Sequence, residues 1–184
     1  LSQQKIAQRT KSLAKLRREL KKLKEDLKRQ KVEIGLDEDN LTLSVSEKLL
    51  FEIGKDKLLP KGKKFLSDFI PALARTITNT DDYVNFSNID QGLVTGIVFD
   101  GQADPTYNDP DWDKAYVGNL DITLKRSENV AAYIFSKEFT ATVGDNNHWT
   151  KQSKERLRYL VVSSGRSSMD RIQMLVGNPD RVRE

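Results

Sequence analysis

Residues 93–104, Leu93-Val94-Thr95-Gly96-Ile97-Val98-Phe99-Asp100-Gly101-Gln102-Ala103-Asp104, decide the fold. They open as a short run of β-branched and aromatic residues and close on glycine and acid. That pattern reads as a strand over residues 93–99 running into a loop. Residues 100–118 hold two prolines, two glycines and five aspartates, and they read as loop. Over residues 119–136, Ile122, Val130 and Ile134 fall on one side of a 3.6-residue repeat, which predicts a helix.

Working outward, Leu41, Leu43 and Val45 alternate with polar residues and predict a half-buried strand. Pro60 suits the first turn of a helix whose apolar face is Leu66, Phe69, Ile70 and Leu73. Pro71 is expected to kink that helix or end it. Downstream, a polar helix near 150–157 and a third strand over 159–163 are expected, while the last twenty residues carry no decisive pattern. Strands alternating with helices in this order predict an α/β class, an α+β two-layer sandwich of βαβαβ order.

Charge is divided unevenly along the 184 residues. Residues 1–32 carry 12 Lys/Arg against 3 Asp/Glu, whereas the remainder is net acidic. Leu13, Leu16, Leu20, Leu23 and Leu27 alternate at spacings of three and four, and Ile6 extends the series, an a/d seam on one long helix. With no glycine or proline before Gly35, the expected organisation is a coiled-coil stalk helix at 1–34, a linker at 35–40 and a domain at 41–184. The seam predicts a homodimer through this helix. Its basic face suits first a solvated spacer, and less well a nucleic acid or anionic lipid headgroups. Residues 1–50 contain no aromatic side chain to stack on a base or anchor at a membrane interface, so no nucleic acid partner is expected. The chain begins at Leu1 inside the helical pattern, which predicts a further segment upstream.

Several chemistries fall away. The chain has no cysteine and His148 is its single histidine, which excludes a disulfide scaffold, a Cys-rich zinc site and a thiol nucleophile. The longest apolar run, residues 130–135, is far too short to span a bilayer. Asp109, Asp111 and Asp113 have the opening spacing of a calcium loop, but Lys114 and Leu120 occupy the positions that require Gly and Glu. Gly92, Gly96 and Gly101 lack the spacing of a phosphate cradle. No metal and no cofactor is expected. A catalytic pair of carboxylates could be drawn from the aspartate-rich loop, but no enzyme is the favoured reading.

The joint pattern is more specific. Gly101-Gln102-Ala103-Asp104 ends the strand, and the helix reads Asn119-x-x-Ile122-Thr123-x-x-Arg126-Ser127-x-x-Val130-x-x-Tyr133-Ile134. Earlier come Leu50-Phe51-Glu52-Ile53-Gly54-Lys55 and Leu58-x-Pro60-x-Gly62. Together these resemble the OmpA-like (OmpA/MotB C-terminal) peptidoglycan-binding family over about residues 41–165. Gln102 and Ala103 stand where that family has His and Thr.

The resemblance implies non-catalytic binding of the diaminopimelate of a peptidoglycan stem peptide. Asp104 would face the ammonium and Arg126 the carboxylate. Asn119, Ile122 and the backbone at Ile53 and Gly54 would complete the pocket. The leucine-heptad helix before the domain is similar to a MotB-like stator arrangement. There a periplasmic domain is tethered to the inner membrane by a segment upstream of Leu1 and assembles with a membrane ion-channel partner subunit. The alternative is an OmpA-like assembly module that has lost the ligand.

Overall fold

The structure is a computed structural model that describes residues 3–80, 93–100, 110–144, 149–164 and 171–176. Its elements are α1 (Gln3–Arg29), β1 (Gly35–Asp37), β2 (Thr42–Ser44), α2 (Glu47–Leu50), α3 (Pro60–Thr80), β3 (Val94–Asp100), α4 (Trp112–Ile134), α5 (Lys137–Val143), α6 (Lys151–Ser164) and β4 (Arg171–Val176). The class is α+β. The four strands form one sheet in the order β1-β2-β4-β3, every neighbouring pair antiparallel.

α1 forms because Leu, Lys, Arg, Gln and Glu all favour helix. It stops at a Schellman turn in which Val32 N–H donates to the Leu27 carbonyl (2.9 Å) and Lys31 N–H to the Lys28 carbonyl (3.0 Å). Lys31 takes the left-handed conformation, φ 62°, that such a turn requires. Val32 then packs on the core beside Leu27.

The seam of this helix does not wait for a second chain. Leu16, Leu20, Leu23 and Leu27 are buried in the same hydrophobic core as Leu43, Phe69, Leu73 and Ile97. α1 lies against α3 and β1. Lys15 Nζ donates to the Asn79 carbonyl at the end of α3 (2.8 Å), and Arg17 Nε to the Glu38 carbonyl (3.2 Å). The projecting stalk expected from the heptads is corrected accordingly. A seam of leucines is equally satisfied by a neighbouring helix of its own chain, and α3 supplies one.

The expected linker likewise carries structure. Gly35, Leu36 and Asp37 pair with Ser44, Leu43 and Thr42. The connecting turn is built on Asp37, whose Oδ1 accepts from Asp39 N–H (3.1 Å) and Asn40 N–H (3.2 Å), while Asn40 Nδ2 donates to Oδ2 (2.8 Å).

α3 begins at Pro60 as expected and runs through Pro71 to Thr80 without ending there. Gly62 in its first turn is a contact glycine. A Cβ at this position would stand 2.8 Å from Leu50 Cα and 2.9 Å from the Leu50 carbonyl oxygen, both rigid backbone. Gly62→Ala is therefore expected to destabilise the protein by about 1–3 kcal/mol through overpacking, outweighing the gain of roughly 1 kcal/mol in helix propensity. Chemical denaturation checks the sign.

Two further expectations are corrected. Residues 159–163 belong to helix α6, not to a strand; Leu157, Leu160 and Val161 give it a buried helical face. The final strand comes later, as β4, in the region that carried no decisive pattern. Arg156 of α6 anchors the helix to the sheet by donating from Nη2 to the Val94 carbonyl (2.9 Å). No helix among the described residues is long and apolar enough to cross a membrane.

Candidate functional site

α4 starts seven residues before the expected position. Asp111 is its N-cap, accepting from Asp113 N–H (3.1 Å) and Lys114 N–H (3.4 Å), and Asp113 lies in the first turn. Both acids suit the positive end of the helix dipole. This explains part of the aspartate cluster without a metal, and no group of metal-ligating side chains is found among the described residues. The signal for this start was available in Asp111 followed by helix-favouring residues. Asn119 therefore lies within the helix and not at its start.

Further along α4, Arg126 is the central residue. Its side chain is 8% exposed, and its guanidinium lies over the Phe51 ring, 5.0 Å from the centroid. Nε donates to the Lys55 carbonyl (2.7 Å) and Nη2 to the Glu52 carbonyl (3.1 Å). Asn129, three residues on, donates from Nδ2 to the Asp56 carbonyl (2.9 Å). One face of α4 thus holds the backbone of residues 52–56.

That segment is a tight reversal. Phe51 and Leu58 form an antiparallel bridge at its base, and Leu59 N–H donates to the Leu50 carbonyl (2.8 Å). At its tip, Glu52-Ile53-Gly54-Lys55 make a β-turn closed by Lys55 N–H to the Glu52 carbonyl (3.0 Å). Gly54 sits third with φ 71°, the conformation for which glycine is favoured there. Ile53 points outward, 71% exposed.

A salt bridge spans the same turn, Lys55 Nζ to Glu52 Oε2 at 2.7 Å. The hydrogen bond donated by Lys55 holds the Glu52 carboxyl below its ordinary range, and the same bond raises the Lys55 ammonium. For Glu52, the folded form prefers the ionised carboxylate, so its contribution is present above the ordinary glutamate pKa of about 4.3. The contribution is lost as pH falls through the lower folded value. NMR titration of the Glu52 side chain is expected to give a midpoint below that of a glutamate in an unfolded peptide. Lys55→Ala should remove the difference.

Of the expected site residues, Arg126 is brought against the turn that contains Ile53 and Gly54, through the Glu52 and Lys55 carbonyls on either side of them. Asn119 and Ile122 lie half-buried on the same helix at spacings of seven and four from Arg126. Asp104, Gln102, Ala103 and His148 lie outside the described residues. Sequence reasoning missed Asn129 and Phe51, the second clamp on the turn and the ring beneath the guanidinium. It also missed the solvent-facing ridge of Trp112, Tyr116, Val117, Leu120 and Leu124 along the first half of α4. In comparisons with known proteins, no family model matches this chain and no curated protein matches it.

Proposed function

We propose that this chain is a non-catalytic, OmpA-like module that binds peptidoglycan through the diaminopimelate of the stem peptide, and so anchors an envelope protein to the cell wall. The reading is carried by one observation. Arg126 and the turn containing Ile53 and Gly54, 71 residues apart at the Lys55 contact, meet directly. These are the two parts of the chain that the family resemblance assigns to the carboxylate grip and the pocket wall.

The local chemistry supports an anionic ligand group. Guanidinium donors of Arg126 hold the turn by its Glu52 and Lys55 carbonyls. Its delocalised charge, held against the turn by those two carbonyls, favours an anionic group arriving beside it. Asp104, four residues after the end of β3 in sequence, is assigned to the ligand ammonium. The chain order β2, α3, β3 and β4 is compatible with the family's alternation of strand and helix, with three helices, α4, α5 and α6, between its last two strands. A periplasmic location, an inner-membrane tether and a stator-type assembly with an ion-channel subunit belong to this proposal. Sedimentation with purified diaminopimelate-type peptidoglycan tests it: wild type is expected in the pellet, and recovery of the chain in the supernatant would refute the reading.

A second reading is favoured by the exposed ridge on α4. Trp112 is 83% exposed, and Tyr116, Leu120 and Leu124 follow at four-residue intervals, a continuous apolar strip of the kind that marks a protein-interaction surface. On this reading the fold serves assembly and has lost the wall ligand. Retention of the chain in the supernatant in the same sedimentation assay, with its fold intact, is the outcome it predicts.

A further inference from the structure

We infer that the solvent face of α1 is an electrostatic docking surface for a bilayer leaflet rich in anionic phospholipid. This goes beyond the cell-wall reading and does not depend on it. The orientation of α1 carries the argument. With Leu16, Leu20, Leu23 and Leu27 turned into the core, the opposite side of the helix faces water.

Lys11, Arg18, Lys22 and Arg29 lie on that side, all exposed, at spacings of seven, four and seven. At about 100° per residue they fall within roughly 40° of one another, a straight line about 27 Å long. Among the described residues, no ion pair joins Lys11, Arg18 or Lys22 to an acid. Arg29 has a contact of 3.5 Å with Asp26. The nearby cations Arg17 and Lys21 are already engaged with Glu38 and are not counted.

The geometry favours a plane over a curved polyanion. A straight row of four cations over residues 11–29, with the exposed Glu25 between its last two, meets a flat surface along its length, whereas a duplex turns away from it. Residues 1–50 contain no aromatic side chain, so stacking on bases is not available. The net acidic remainder of the chain is repelled by an anionic leaflet, which turns the basic stripe toward it. Since the apolar face of α1 is used within the core, the helix does not insert among acyl chains as a free amphipathic helix would. The attraction is Coulombic and is screened by salt.

The test uses the whole chain and co-sedimentation with vesicles of phosphatidylcholine alone or mixed with phosphatidylglycerol. Binding is expected to the mixed vesicles only and to fall as salt rises. Each stripe cation is worth on the order of fivefold in affinity near such a surface, so K11E/K22E should weaken binding by about 25-fold or more. K137E/K151E makes the same change in net charge on the exposed starts of α5 and α6 and should bind as wild type does. Melting temperature confirms that both variants fold. Absence of binding, or equal loss in the two double variants, overturns the proposal. So does tighter, stripe-dependent binding to duplex RNA than to the anionic vesicles.

Discussion

Leu20→Ala is expected to lower the unfolding free energy by about 2–5 kcal/mol. Leu20 has no exposed surface, and it lies where α1 packs on the core shared with α3 and the sheet. Truncation removes buried methyl groups and leaves a cavity that a close-packed interior fills only in part. If α1 were a stalk standing apart from the domain, the same change would leave the domain's unfolding midpoint where it was, because alanine is as good a helix former as leucine. Denaturant unfolding of wild type and variant separates the two cases. A loss of this size is a large share of the stability of an ordinary domain, so Leu20→Ala also reports whether α1 and the domain unfold together.

The second large effect is expected at Arg126. Arg126→Leu removes two charge-assisted hydrogen bonds and the cation lying over Phe51. Hydrogen bonds to charged groups contribute about 1.5–3 kcal/mol each where the partner is left unsatisfied. The Glu52 and Lys55 carbonyls sit on an exposed turn that water reaches once the turn loosens, so the expected total is about 2–4 kcal/mol rather than the full sum. Arg126→Lys should recover only part of it, since a single ammonium cannot reproduce the planar fork that reaches both carbonyls. Urea unfolding measures the loss, and amide hydrogen exchange at Lys55, whose N–H closes the turn, reports the turn itself. If Arg126→Leu left both unchanged, the clamp described above would be wrong.

Particular residues explain what was legible in the sequence. Strand β2 was readable because Leu41, Leu43 and Val45 alternate on a half-buried surface. α3 was readable because Pro60 and its apolar face agree. The leucines of α1 correctly gave a helix and an apolar stripe, but periodicity alone does not say whose surface will cover the stripe. That is set by α3, whose own apolar residues lie far along the chain. β1 was hidden by its length of three residues and by Gly35 and Asp37, which read locally as linker.

Residues 159–163 illustrate the opposite failure. Tyr159, Leu160, Val161 and Val162 favour strand by type, yet they continue a helix begun at Lys151 and fixed by packing on the sheet. In the candidate site, Arg126 and the turn at Ile53 and Gly54 were both singled out from motif order. Their contact was a consequence of tertiary packing that spacing does not reveal. Asn129 escaped notice because an asparagine on an exposed helix position carries no signal until its partner, the Asp56 carbonyl, is placed beside it.

The central claim, a clasp for a cell-wall stem peptide, is tested most directly at Asp104, the assigned ammonium partner, because Arg126 also holds the fold together. Sedimentation of wild type and Asp104→Ala with purified diaminopimelate-type peptidoglycan, alongside their unfolding midpoints, is the decisive measurement. Wild type is expected in the pellet and Asp104→Ala in the supernatant, with similar midpoints. A wild-type chain that stays in the supernatant, or an Asp104→Ala chain that pellets equally well, would contradict the account.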